Sequence, residues 1–224
     1  MVQSQKSTTM ISWSVRLFVL AVCFTRTVCS QSSTCPQISS IPFQSSFDFD
    51  RFAGELKWNV LLYNKIVPIE GLDMPVNKSD LSFLFSRNSN NTQTVTIAGR
   101  VRLAPTVAFC LELEGIVDSL SGNAAKLQQN YFNPLTKKLF TFNFWVLHTD
   151  YKNLAVVYAC EKTMVDGTCN HSDTYLWTLS RGTSHTPAEM KTIKDVGSSV
   201  CMDVTHLRHV SHKSPCAAAE RLHS

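Results

Sequence analysis

The sequence predicts an all-β domain whose strands close as a sandwich or a barrel, with one helix added after the last strand. Eight short apolar segments recur between residues 56 and 179. Clusters of Asn, Asp, Gly, Pro and Ser separate them, which is the spacing of a small antiparallel β domain. In the clearest segments apolar and polar residues alternate, so one strand face is greasy and the other wet. A short apolar leader followed by six cysteines adds an oxidising destination.

Residues 1–30 read as a signal peptide. Lys6 and Arg16 precede a brief apolar core, Leu17–Phe24, and Val28-Cys29-Ser30 offers a cleavage site after Ser30. Met10 is an alternative start that gives a leader of more usual length. The core falls far short of the roughly 20 residues that cross a bilayer, and no other stretch reaches that length, so no membrane span is expected. Cleavage also changes the charge. The chain carries 21 basic and 17 acidic residues, and the leader takes Lys6, Arg16 and Arg26 with no acid, so 21 less 3 leaves 18 against 17. Near neutrality gives no reason to expect nucleic acid or an acidic membrane as partner.

An irregular arm rich in Ser and Gln, with Pro36 and Pro42, occupies residues 31–50. Strands then read as Leu56–Tyr63, Leu81–Ser86, Thr94–Leu103, Val107–Val117, Leu127–Phe132, Leu139–Leu147, Leu154–Cys160 and Tyr175–Leu179. Val107, Phe109, Leu111 and Leu113 share one face, opposite Thr106, Cys110, Glu112 and Glu114. Phe140, Phe142, Phe144 and Val146 form another one-sided set. A solid core accounts for such an aromatic interior, and so does a barrel of about eight strands, just wide enough for one small ligand. The helix begins at Pro187, with Thr186 as N-cap and Glu189 as its capping-box partner, and runs to Val196 with Gly197 as the stop. Met190, Ile193 and Val196 give it a narrow apolar stripe for docking on the outside of the strands.

The run Val146-Leu147-His148-Thr149-Asp150-Tyr151-Lys152-Asn153-Leu154-Ala155-Val156-Val157-Tyr158-Ala159-Cys160 closely resembles the second motif of the lipocalin family, whose heart is Thr-Asp-Tyr. Trp177-Thr178-Leu179-Ser180-Arg181 resembles the third motif, and Phe47–Gly54 is similar to the lead-in of the first. Apolipoprotein D and the insect and crustacean pigment-binding lipocalins are the relatives suggested. The resemblance implies one eight-stranded antiparallel up-and-down barrel over residues 31–216, a C-terminal α-helix packed on its outside, and a tail at 217–224. The family's Gly-x-Trp is altered, because Gly54-Glu55-Leu56 lacks the tryptophan and Trp58 stands two positions on. In the family that tryptophan closes the barrel base beneath the arginine of the third motif. Leu56 and Trp58 share a strand face, so Arg181 covers one or the other.

The resemblance further implies a Cys35–Cys160 disulfide, pinning the arm across the barrel. Cys110, Cys169, Cys201 and Cys216 then allow three pairings, and the outward phase of Cys110 favours Cys216. The implied function is secretion and carriage of a small hydrophobic ligand such as a lipid, fatty acid, retinoid, carotenoid or bilin. Phase and resemblance together place Trp58, Phe83, Phe85, Phe109, Phe140, Phe142, Phe144, Tyr158 and Trp177 in or near the pocket. No cofactor is expected beyond a bound lipid or a tetrapyrrole or carotenoid pigment as ligand. One family member is a prostaglandin isomerase with a free cavity cysteine. Cys110 is the candidate for that role here, but it shares a face with Glu112 and Glu114 and reads as a disulfide residue. A second alternative is a filled barrel that acts through its loops, chiefly residues 67–79, on a cell-surface receptor or another copy of itself.

Other chemistry finds little support. No phosphate-cradling glycine loop, C-x-x-C, H-E-x-x-H or G-x-S-x-G occurs. Asp48 and Asp50 read as turn residues of the arm. His206, His209 and His212 recur every third position but lie in what reads as a loose tail, so they are taken as solvated rather than as metal ligands. Asn77, Asn90 and Asn170 each head a glycosylation sequon.

Overall fold

The computed structural model describes residues 35–65, 77–104, 107–120, 122–133, 137–213 and 216. The expected signal peptide and the 217–224 tail lie outside them. Eight long strands follow one another: β1 (Trp58–Tyr63), β2 (Asn77–Arg87), β3 (Gln93–Ala104), β4 (Val107–Ser119), β5 (Lys126–Asn133), β6 (Lys138–Thr149), β7 (Ala155–Cys160) and β8 (Thr174–Ser180). From β2 to β8 each strand pairs antiparallel with the next, and β1 pairs with both β8 and β2. The sheet is thereby closed into an up-and-down barrel. Closure is narrow, through Trp58 opposite Phe83 and Asn59 opposite Ser82. The expected strand centres are all present. β2 starts at Asn77 rather than Leu81, since its polar first residues pair with Arg100–Arg102 without any apolar alternation to reveal them.

Two apolar clusters lie on opposite faces of the barrel wall. Inside, Trp58, Phe83, Phe85, Phe144, Val157 and Trp177 belong to one core. Outside, Trp145, Leu147, Val156, Tyr158 and Leu176 form a second with Ile193, Val200 and Met202. Helix α2 (Pro187–Ser199) covers that outer cluster, started by the Thr186–Glu189 capping box. It does not stop at Gly197. That residue is buried inside the helix, and a Cβ there would stand 2.6 Å from Val204 Cγ1, so glycine serves close packing rather than termination. Ile193 is the stripe residue that is fully buried, while Met190 is 36% exposed.

A second helix escapes the sequence reading. Helix α1 (Phe49–Ala53) is five residues long, capped by Asp48 accepting from the Arg51 N–H. It buries Phe49, Phe52 and Ala53. So short a helix shows no periodicity, which is why the arm reads as irregular throughout. Asp50 pairs instead with Arg87 at 2.8 Å.

The C-terminal segment is docked rather than loose. Strand β9 (Arg208–His209) pairs with Leu62 and Tyr63, and fully buried Val210 donates its N–H to the Leu61 carbonyl at 2.9 Å. His206 and His209 are exposed, whereas His212 is partly buried against the Val60 carbonyl at 2.8 Å. No cluster of three metal-ligating residues occurs among the described residues.

The disulfides correct one expectation. Cys35 bonds Cys201 at the end of α2, and Cys160 bonds Cys169, so the Cys35–Cys160 pairing does not form. The β7–β8 connection folds back through a Thr163–Cys169 bridge, which brings Cys169 onto its own strand end. The arm crosses that connection at Gly167, through the Ile38 N–H, and continues to the helix. Cys110 bonds Cys216, fastening the C-terminal segment to the outward face of β4. In the chain-entropy picture the two long loops are worth about 5 kcal/mol each, and the short one about half that.

Candidate functional site

The barrel interior divides along its axis. At one end α1 plugs the opening and the aromatic residues are packed solid. Phe52 stacks on Trp58 at 5.1 Å and meets Phe85 at 5.2 Å, and Phe144 lies 5.2 Å from Phe85 and 5.4 Å from Phe83. The Trp58 indole N–H donates to the Phe52 carbonyl at 2.8 Å. Arg181 lies over the Trp58 ring at 3.9 Å and donates to the Phe52 and Ala53 carbonyls at 2.7 and 3.1 Å. Trp58 therefore occupies the place that the altered motif left ambiguous, and Leu56, 56% exposed, does not. Burial lowers the Arg181 pKa to about 10, which leaves the guanidinium charged at neutral pH, and the Asp150 charge opposes the shift. Gly54 has φ +54°, and its would-be Cβ stands 3.1 Å from Arg181 Nη2, so a side chain there would press on the arginine.

Thr149, Asp150 and Tyr151 finish the same end. The Asp150 carboxylate accepts the N–H groups of Lys152, Asn153 and Leu154 at 2.8–2.9 Å. Its pKa is lowered because these bonds and the His148 charge together outweigh the cost of burial, the largest single contribution. Thr149 Oγ1 accepts from the Tyr151 N–H and donates to the Leu154 carbonyl. The Tyr151 hydroxyl accepts the Asp48 N–H at 3.2 Å, and Arg51 rests on the Tyr151 ring at 4.3 Å. The three motif residues thus tie the β6–β7 turn to the arm that carries α1. Their role is structural.

The other end holds a cavity of about 50 Å³. Leu81, Phe83, Ile97, Val101, Leu111 and Leu113 supply one part of its wall, and Gln129, Tyr131, Phe140, Phe142 and Trp177 the other. Trp177 stacks on Phe142 at 4.9 Å and Tyr131 on Phe140 at 5.1 Å. The Trp177 indole N–H is satisfied by the Lys65 carbonyl at 2.6 Å. Gly115 makes room for Tyr131, since a Cβ there would lie 2.7 Å from the ring. Burial pushes the Tyr131 phenol well above its ordinary pKa, so the hydroxyl stays neutral.

Of the residues expected around the pocket, Phe83, Phe140, Phe142 and Trp177 line this cavity. Phe85, Phe144 and Trp58 point inward but belong to the solid end. Phe109 has the phase of Leu111 and Leu113 yet is 39% exposed and does not line the cavity. Tyr158 is on the wrong side of the wall, facing Trp145 beneath α2 at a ring distance of 6.0 Å. Both faces of β7 are buried, so alternation in the sequence does not say which one faces inward. Gln129 and Tyr131 were missed. Their signal lies in β5, where Leu127, Gln129 and Tyr131 share the buried phase.

The remaining predicted positions lie apart from the cavity. Asn90 is exposed in the β2–β3 turn, and Asn170 is half-buried with its side chain capping a short turn at Ser172. Asn77 begins β2. Most of the 67–79 loop falls outside the described residues. Cys110, the thiol that isomerase-type chemistry requires, is bonded to Cys216. No helix among the described residues is long and apolar enough to cross a membrane.

No protein-family model matches the chain. Purpurin of Gallus gallus is 31% identical over 162 residues, covering 70% of this chain and 76% of purpurin. Retinol-binding protein 4-A of Oncorhynchus mykiss is 28% identical over 176 residues, covering 77% of this chain and 93% of that protein. Among solved structures, insecticyanin from the tobacco hornworm Manduca sexta superposes with a TM-score of 0.56 at 17% identity, over 81% of this chain and 87% of its own.

Proposed function

The chain belongs to the lipocalin family, and on that premise we propose that it is a secreted carrier of one small apolar molecule, held in the unfilled half of its barrel. The observation that carries this reading is the cavity opposite the plugged end, walled almost wholly by aliphatic and aromatic side chains. Burying a ligand's apolar surface there is worth about 25 cal/mol per Å². Relatives named for binding retinol support the ligand class. The leader, three disulfides and the sequons at Asn77, Asn90 and Asn170 support export and glycosylation. The Cys110–Cys216 bond disfavours thiol catalysis in the barrel.

At about 50 Å³ the cavity is smaller than a typical ligand pocket of roughly 300–1,000 Å³. Ile97, Leu111 and Phe140 line it while only partly buried. The same small volume favours a second reading, a self-filled barrel acting through its open-end loops on a receptor or on another copy. Fluorescence titration separates the two. Retinol or a linear fatty alcohol should quench the tryptophan emission saturably at one per chain, and Leu113→Trp should abolish that binding by filling the cavity. An absence of saturable quenching by either probe contradicts the carrier and favours the loops.

A further inference from the structure

Apart from Arg100 at its border, the cavity wall is polar only at the Gln129–Tyr131 pair. Gln129 is fully buried, and its Oε1 accepts the Tyr131 hydroxyl at 2.6 Å. Its Nε2 is buried with no hydrogen-bond partner. Reversing the amide does not remove the excess, since Nε2 would then donate to the tyrosine oxygen and the phenolic O–H would be left over. Either way the pair keeps an unused donor buried in the wall of an apolar cavity, at a cost that a native core ordinarily avoids. The pair is also held rigidly. Gly115 seats the tyrosine ring, Phe140 stacks on its other side, and Gln129 lies between Val117 and Phe142 in the sheet.

The charges nearby are already spoken for. Arg100 borders the cavity, but its phase on β3 is opposite to that of Gly99 and Val101, and it pairs with buried Asp80 at 3.5 Å. A carboxylate entering the barrel would have to compete with Asp80 or remain uncompensated in an apolar enclosure, which is costly. An alcohol, aldehyde, ketone or ester has no such penalty.

We propose that the ligand is an uncharged apolar molecule bearing a single hydrogen-bond-accepting oxygen, and that the Gln129–Tyr131 pair donates to that oxygen inside the barrel. This rests on the carrier reading and narrows its ligand class.

The test uses four linear ten-carbon probes that differ only at one end: the alkane, the alcohol, the aldehyde and the carboxylate. Each is titrated by calorimetry into the secreted protein and into the double variant Gln129→Met, Tyr131→Phe, which removes both polar groups together. The wild type should bind the alcohol and aldehyde at least tenfold more tightly than the carboxylate at neutral pH. The double variant should lose about tenfold for the alcohol and aldehyde while holding the alkane within about twofold. Equal changes for all four probes, or none, overturn the polar anchor and leave the carrier intact. If no probe binds the wild type, the carrier reading itself falls. Should the double variant fail to fold, the side-chain amide resonances of Gln129 in the wild type decide the question. They should shift on adding the alcohol and stay in place with the alkane, and the reverse or an identical response to both contradicts the proposal.

Discussion

At the plugged end of the barrel, Phe52, Trp58, Phe85 and Phe144 are all 1% exposed or less, and the other three rings gather around Phe52. At the other end, Ile97, Leu111 and Phe140 have the same inward phase on their strands but are only partly buried. The strands themselves do not distinguish the two ends. The difference comes from outside the barrel, because α1 inserts Phe52 beneath Trp58, and Arg181 ties α1 down by its two carbonyl contacts. No equivalent plug enters the cavity end among the described residues. One alternating pattern therefore yields a packed floor where α1 fills it and a hollow where no described residue does.

That contrast breaks most readily at Trp58. Trp58→Ala should cost about 3–5 kcal/mol, read as a drop in Tm, because a fully buried indole leaves a void in close-packed surroundings. Phe140→Ala, at the hollow end, should cost about half as much or less. Equal losses at the two positions would remove the distinction between floor and cavity. Arg181→Met should follow, at about 2 kcal/mol, by depriving the Phe52 and Ala53 carbonyls of a charged donor. Its effect on probe affinity should be small, and a loss as large as that of a cavity-wall variant would place Arg181 in the binding site.

Gly115→Ala sharpens the comparison from the cavity side. Its Cβ would fall 2.7 Å from the Tyr131 ring and 2.8 Å from the Asn130 carbonyl, so the ring and strand must shift. A stability loss of about 1–2 kcal/mol is expected, with a larger proportional loss in alcohol binding. The smallest effect is that of pH. Burial, the largest cause in each case, holds the His185 and His212 pKa values below the ordinary histidine value of 6.5. The unfolded chain then binds protons that the folded one resists, so stability should decline as pH falls below 6.5. Urea melts of His185→Gln and His212→Gln should show a shallower acid loss, and an unchanged slope in both would refute the assignment.

Much of this fold is legible in the sequence because its physics is local. Alternation located the strand centres, and the Thr186–Glu189 pair located the start of α2. The Thr149-Asp150-Tyr151 run and Arg181 were marked by their resemblance to family motifs; Thr149 and Asp150 then bond locally in the β6–β7 turn, whereas Arg181 reaches Phe52 across the fold. What escaped depends on distant chain. Tyr158 was misplaced since α2 buries the outer face of β7 as thoroughly as the barrel buries the inner one. Cys35 was misassigned because its partner is set by where the arm ends, at Cys201, and spacing carries no trace of that route. Gln129 went unnoticed among the polar residues of β5, although its phase placed it with Leu127 and Tyr131.

The central claim is that the hollow end holds a guest. Native mass spectrometry of the protein secreted from a eukaryotic host tests it most directly, with organic extraction of the same sample to identify what is released. The account predicts an added mass of one small uncharged apolar compound per chain, lost in Leu113→Trp. A secreted protein whose mass is polypeptide and glycan alone, and which stays empty when offered the alcohol and aldehyde probes, would contradict it.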